Sequence, residues 1–302
     1  MSRLFRLREL TKLPQWLLVR FLLLFMRPQR VVALLGPTLG RLRMLLRPGR
    51  ARRLRQLMAY ACGLPPGGPE AARLVRQWFL EQGRLGIESS VHNIIPWERL
   101  ADLARIEGLE AMREAIASGR GVIAATAHYG TRLVPQSAFW AQGLHIPELI
   151  YKPDPPRSWL WRKVLSRNMA EANMDPNRAL YVGEPHRLIG HLRRGGAVAI
   201  ADDSPGMTGQ PVRVLGLNLF LNPGLAKMAR LSGAAVLLYY PRRNPDQTHT
   251  LFVRPLHLPE DEAQAMHAYA SALERMVLEA PEGWRLWPKM IRATKASAEG
   301  RQ

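Results

Sequence analysis

The chain has 302 residues, 47% of them apolar, one cysteine and a formal net charge of +19. That length and apolar fraction support one large α/β domain with an N-terminal appendage rather than two equal domains. The lone Cys62 excludes a disulfide framework and a cysteine-rich zinc site, and the positive charge directs attention to an anionic partner: nucleic acid, a membrane face or an acidic carrier protein.

Residues 1–60 hold fourteen Arg or Lys against one acid, Glu9. The same region contains the longest apolar run, Trp16 to Met26, broken by Arg20 and stopped by Arg27-Pro28. A membrane-spanning helix needs about 20 apolar residues, and a central Arg costs about 2.5 to 3.5 kcal/mol. Spanning is therefore disfavoured. The pattern predicts an amphipathic helix lying in the interface, each arginine gaining about 1 kcal/mol from anionic headgroups. The alternative is a helix docked on the domain with its basic face in water. No small-residue cleavage site follows, so the segment is not read as a signal peptide and the bulk is expected on the cytoplasmic face of a membrane. The basic residues are interleaved with leucines rather than exposed aromatics, which favours a membrane over nucleic acid.

Cys62 precedes a breaker-rich loop, Gly63 to Pro69, and has no histidine partner that would make it a nucleophile. From Pro69 an apolar face through Leu74, Val75, Trp78 and Phe79 predicts a helix, with Leu85–Ile95 a continuation or a second helix up to Pro96. Trp97–Ile106 and Leu109–Ala117 read as two short helices. Gly121–Ala127 then reads as a buried strand that delivers His128 to the turn His128-Tyr129-Gly130, at the end of the strand where open α/β sheets collect ligands. Leu133–Trp140 is predicted helical with Pro135 in its first turn. Pro147–Tyr151 is a strand leading to Lys152-Pro153, and Trp159–Glu171 a basic helix carrying Arg167. Leu188–Leu192 is a helix, and Ala197–Ala201 a small-residue strand running into Asp202-Asp203. Turn capping is the ordinary role of such acids, although the second is costly beside the first without a cation or donor nearby. Further on come the Val212–Phe220 block with Gly216, a helix at Leu225–Leu231, a strand at Ala234–Tyr240, a sheet-edge strand at Thr248–Val253 and a long helix at Glu260–Glu279. The tail begins at Ala293.

The segments GLEAMREAIASGRGVIAATAHYGTRL, YKPDPPRSWLWRKVLSRNMAEANM, LIGHLRRGGAVAIADDSPGMTGQPVRVLGLNLFLNPGLAKMARLSGAAVLLYYPRR and APEGWRLWPKMIR follow one another with a recognisable order and spacing. From about Gly108 to Arg292 the chain resembles the lipid A biosynthesis (lauroyl/myristoyl) acyltransferases of the lysophospholipid acyltransferase superfamily. The resemblance implies a single mixed-sheet α/β domain flanked by helices at 69–292, after the membrane-associating region 1–60 and before the tail 293–302.

It also implies O-acyl transfer from an acyl carrier protein or coenzyme A thioester to a hydroxyl of a lipid A precursor, a related glycolipid or a lysophospholipid, with no metal and no cofactor. His128 is then the general base. The backbone N–H groups of Gly130 and Thr131 are candidate oxyanion donors, Lys152 and Arg167 candidates for anionic phosphate, and Arg132 and Gly216 further substrate-binding candidates. One departure matters. The family's first motif places Asp or Glu after four residues beyond the His, and here that position is Leu133. A substitute acid is expected at the end of another strand: Asp202 first, Asp203 second, with Glu148 and Glu184 less well placed. The competing reading is a degenerate acyltransferase fold that binds acyl chains or anionic lipid without turnover, favoured by Leu133 and by Arg132, a cation beside the base. No GxSxG, P-loop, HExxH or GxGxxG motif supports esterase, kinase, zinc-peptidase or dinucleotide chemistry.

Overall fold

The structure, a computed structural model, describes residues 7–151, 158–175, 179–206 and 208–291. Lys152, Arg292 and the tail lie outside the described residues. Five helices come first: α1 (Leu7–Leu10), α2 (Leu13–Leu22), α3 (Pro28–Leu45), α4 (Pro48–Ala61) and α5 (Pro69–Ile94). Proline sits in the first turn of α2 to α5, where its missing N–H leaves no helix bond unmade. α5 is one helix of 26 residues, so Leu85–Ile95 continues it. It stops because Ile95, before Pro96, is driven to an extended conformation.

α3 meets α5 backbone to backbone. Gly36 and Gly40 lie one turn apart and face Gly83, where a Cβ would come within 2.2 Å of the Gly36 carbonyl oxygen and 2.5 Å of the Gly40 nitrogen. The N-terminal helices are thereby held on the α/β layers. No helix among the described residues is long and apolar enough to cross a membrane.

A 3₁₀ segment at Trp97–Leu103 leads into β1 (Ala104–Glu107), α6 (Leu109–Ala117), β2 (Val122–Thr126), α7 (Leu133–Ala141) and β3 (Glu148–Ile150). A π-helical turn at Trp161–Leu165 precedes α8 (Arg167–Met174), β4 (Ala179–Tyr181), α9 (Pro185–Arg193) and β5 (Ala197–Ala201). The hairpin β6 (Gln210–Val214) and β7 (Leu217–Leu221) follows, then α10 (Gly224–Ser232), β8 (Ala235–Arg243), β9 (His249–Pro255) and α11 (Glu262–Glu279). The main sheet has seven strands in the order β1-β9-β8-β2-β5-β3-β4, and only the β8–β9 pair is antiparallel.

Ala104–Ile106 is strand rather than helix because β9 beside it in parallel takes up its backbone groups. For the same reason β9 is not the sheet edge. The segment Trp159–Glu171 is not one helix: Ser166, at φ −145°, breaks it ahead of α8.

β2 and β5 are central and buried on both faces, as their continuous small-apolar sequences require. On one face Ile123, Ala125, Val198 and Ile200 pack against α10, α11 and the β6–β7 hairpin, joined by Trp78 and Phe79 of α5. On the other, Val122, Ala124, Ala197 and Ala199 pack against Met112 of α6 and Ala138 and Phe139 of α7. Both layers leave the carboxyl ends of the central strands open.

Gly83→Ala is expected to lower stability by roughly 1–3 kcal/mol, because the added methyl meets backbone that cannot swing aside. A denaturant titration checks this, and an unchanged midpoint would show that α3 is free to move off α5.

Candidate active site

β2 and β5 pair in parallel with Thr126 opposite Ala201, a constant offset of 75 residues. Carried two residues past the last pair, that register sets His128 beside Asp203. The His128 Nδ1 lies 2.6 Å from the Asp203 Oδ1, and the His128 backbone N–H donates to the Asp203 Oδ2 at 2.8 Å. Asp203 is fully buried while the His128 ring is 44% exposed. The Trp284 indole Nε1–H donates to the same Oδ2 at 2.8 Å. An ionised carboxylate only accepts, so the imidazole proton sits on Nδ1 and leaves Nε2 as the free basic nitrogen.

Of the two acids, then, it is Asp203 and not the first-choice Asp202 that meets the histidine. A strand's side chains alternate, and the adjacent residue points elsewhere. Asp202 lines the neighbouring wall, where burial first, and Asp203's charge as well, push its carboxyl up from 3.8 to about 6, against a favourable backbone hydrogen bond from Leu225.

The turn itself is clamped by the segment after α11. Gly130 N–H donates to the Gly283 carbonyl at 2.9 Å, Arg285 N–H donates to the His128 carbonyl at 2.9 Å, and the Tyr129 hydroxyl donates to the Ala280 carbonyl at 2.7 Å. Gly130 has φ +57°, and a Cβ there would stand 3.0 Å from the Pro241 carbonyl oxygen, so both the conformation and the space call for glycine. Its N–H is spent on Gly283, which removes it from the candidate oxyanion donors. Thr131 lines the cavity, and its N–H has no partner among the described residues.

Arg132 is not a bare cation beside the base. Its Nε donates to the Glu148 Oε2 at 2.6 Å and its Nη2 to the same oxygen. Burial opposes its charge, but the carboxylate more than offsets this and holds the guanidinium above its ordinary value. Glu148 is thus engaged away from His128, and Glu184 pairs with Arg187 on the surface. Leu133, where the family motif has an acid, is buried among Trp97, Leu100, Leu103 and Val134. A carboxylate there would have no partner in that cluster.

His128, Thr131, Arg132 and Asp202 line one cavity of about 2740 Å³. That exceeds the roughly 300–1,000 Å³ typical of small-ligand sites. Its walls mix apolar groups such as Trp16, Leu85, Leu149 and Leu165 with the cations Arg162, Arg285 and Lys289. Trp16 belongs to α2, so the N-terminal helices form part of the wall.

Two candidates stand apart from it. Arg167 is exposed on α8, its Nε 3.4 Å from the Asn168 Oδ1, and it does not line the cavity. Gly216 forms the β6–β7 turn with Leu215, both at positive φ, and its carbonyl accepts the Tyr60 hydroxyl at 3.2 Å. Its place is structural.

Sequence reasoning missed Trp284 as the donor to the acid, Glu148 as the partner of Arg132 and Arg285 as a wall cation. Trp284 lies in the closing segment APEGWRLWPKMIR that carries the resemblance, but nothing local to it told that the indole reaches across to Asp203.

The sequence matches the family described as bacterial lipid A biosynthesis acyltransferase over residues 2–289. Among curated proteins it is 26% identical to a lipid A biosynthesis acyltransferase of Haemophilus influenzae, covering 75% of this chain and 68% of the relative. It is 26% identical to the lipid A biosynthesis palmitoleoyltransferase of Escherichia coli over 72% and 71% of the two chains. With the lipid A biosynthesis lauroyltransferase of Escherichia coli the identity is 25%, over 94% of this chain and 90% of the relative. With a family match over nearly its whole length and a histidine–carboxylate pair at the carboxyl edge of its sheet, the chain belongs to the bacterial lipid A biosynthesis acyltransferases.

Proposed function

We propose that this acyltransferase moves a fatty acyl group from an acyl thioester, on acyl carrier protein or coenzyme A, to a hydroxyl of a lipid A precursor or related glycolipid, with His128 and Asp203 as the catalytic pair. The 2.6 Å contact between the Nδ1 of His128, which lines the cavity, and the Oδ1 of Asp203, buried behind it, carries the reading. His128 Nε2 takes the proton of the acceptor hydroxyl as its oxygen attacks the thioester carbonyl. The tetrahedral oxyanion collapses, the C–S bond breaks, and the imidazolium returns the proton to the leaving thiolate. Asp203 holds the tautomer and balances the transient positive charge. The Thr131 N–H is the remaining oxyanion donor of the turn.

The acidic donor carrier is favoured by the protein's charge of +19, and the cations Arg285 and Lys289 lining the cavity suit an anionic substrate. The enzyme works on the cytoplasmic face of the inner membrane, held peripherally. The support is a surface of α2 and its flank where Leu24 and Phe25 are 73% and 74% exposed among the exposed Arg20, Arg27 and Arg30. Since α2 also walls the cavity, docking this face would bring the cavity mouth to the lipid.

His128→Ala is expected to abolish transfer. Asp203→Asn is expected to lower kcat by about 10⁴-fold, the loss known for the orienting carboxylate of a serine-protease triad, whereas Asp202→Asn stays within about tenfold. Steady-state transfer of labelled acyl groups separates them, and an Asp203→Asn enzyme of wild-type rate would remove the pair.

Asp202 has a different signature. Its folded carboxyl holds its proton up to about pH 6, above its ordinary 3.8, so it destabilises the fold as pH rises through that window. Asp202→Asn is expected to flatten the fall in stability between these values, read as urea midpoints against pH. A pH dependence identical to wild type would contradict this.

For the membrane, flotation on vesicles rich in phosphatidylglycerol is expected to exceed that on phosphatidylcholine, and Leu24→Glu with Phe25→Glu to reduce it. Equal recovery with both vesicles would refute the anionic-surface reading.

A further inference from the structure

Beneath the His128 turn lies a buried ionic network that the transfer chemistry leaves unused. α5 contributes Glu81, Glu88 and His92, the end of β8 contributes Arg243 and the start of β9 contributes His249. Arg243 Nε donates to both Glu81 oxygens at 2.9 and 3.0 Å, and its Nη1 and Nη2 donate to the two Glu88 oxygens at 2.9 Å each. Arg84 stands 3.5 Å from Glu81, which balances the charge. The Glu88 Oε1 also faces the Nε2 of His92 at 3.7 Å and that of His249 at 3.4 Å. A buried network of this kind is weak evidence for stability, since well-packed apolar groups of the same volume often do as well. Its members differ in one respect. Glu81, Glu88, Arg243 and His249 are shut away from the cavity, while His92 borders it and holds the hydroxyl of Thr131, whose Oγ1 is 3.2 Å from the His92 Nδ1.

The orientation follows from which groups can donate. Burial keeps His92 neutral, pushing its pKa below the ordinary value against the pull of Glu88. A neutral imidazole has one N–H, and the negative Glu88 carboxylate 3.7 Å from Nε2, too distant for a hydrogen bond, favours the N–H on that nitrogen by its charge. With the proton on Nε2, Nδ1 is an acceptor and the Thr131 O–H donates to it. The free lone pairs of the Thr131 oxygen are left for the cavity.

From this geometry we infer that the Arg243–Glu88–His92 chain fixes Thr131 as a hydrogen-bond acceptor in the active-site cavity, and that Thr131 Oγ1 receives an O–H or N–H of a substrate beside His128. This rests on the acyl-transfer reading and adds a positioning residue, His92, together with a recognition atom of stated polarity. The substrate group is a hydroxyl or amide of the acyl acceptor, or an amide of the thioester's carrier arm. Varying each substrate separately distinguishes these sources.

Thr131→Val keeps the volume and removes the acceptor. It is expected to fold with a lowered unfolding midpoint, because the buried His92 Nδ1 loses its donor, and to raise KM about tenfold for whichever substrate carries the donor, a larger effect than on kcat. Thr131→Ser is expected to recover most of that loss. His92→Gln is expected to reproduce the KM effect in the wild type and to add nothing in the Thr131→Val background, the non-additivity of residues acting through one another. Should His92→Gln fail to fold, the Val and Ser variants still decide the matter. Wild-type KM for both substrates in folded Thr131→Val would overturn the inference, as would multiplicative losses in the double variant. A wild-type enzyme that transfers no acyl group, or a His128→Ala variant that still does, would instead remove the parent reading.

Discussion

β2 and β5 leave the sheet in step. Because their parallel register holds an offset of 75 residues from Val122 opposite Ala197 to Thr126 opposite Ala201, the residues two positions further on are neighbours, and these are His128 and Asp203. A carboxylate sealed from solvent is costly unless its lone pairs are used, and here the His128 ring, the His128 backbone N–H and the Trp284 indole use them. The clamp from Ala280 to Arg285 serves the same end by tying the backbone on both sides of the histidine. Remove the register and neither the acid nor the clamp has anything to hold.

Several of the charged groups around the pair are matched with one another. Glu148 takes Arg132, and Arg243 takes Glu81 and Glu88. Of the described cations near the turn, Arg132 and Arg243 are satisfied by carboxylates, while Arg285 and Lys289 line the cavity, where an anionic substrate would meet them. The apolar share of the wall, from Trp16 to Leu165, supplies the surroundings that a fatty chain needs, and the helix carrying Trp16 is also the one whose outer face is apolar and basic.

Much of this was legible in the sequence. Ala197–Ala201 and the strand before His128 could be read from short small-apolar runs between glycines, and the helix after α5's N-terminal proline from its apolar spacing. The family motifs pointed to His128 and to an acid at the end of a second strand. What a sequence does not carry is register: Asp202 and Asp203 are equivalent in a string, and only the pairing of β2 with β5 tells which one stands opposite position 128. Non-local pairings were hidden in the same way. Nothing near Glu148 indicates Arg132, nothing near Gly216 indicates that Tyr60 packs on it, and Ala104–Glu107 became a strand only because β9, far along the chain, lies beside it. Leu133 was visible as a departure, but its meaning came from the apolar cluster it completes.

The state of the histidine ring links the register to the chemistry. Nitrogen-15 NMR of the imidazole nitrogens, with His128 assigned by comparison with a His128→Gln variant, measures it directly. The proton is expected on Nδ1 in the wild type at neutral pH, with Nε2 bearing the lone pair, and Asp203→Asn is expected to shift the ring toward the other tautomer. A wild-type His128 protonated on Nε2, or a tautomer indifferent to Asp203→Asn, would contradict the pair at the centre of this account.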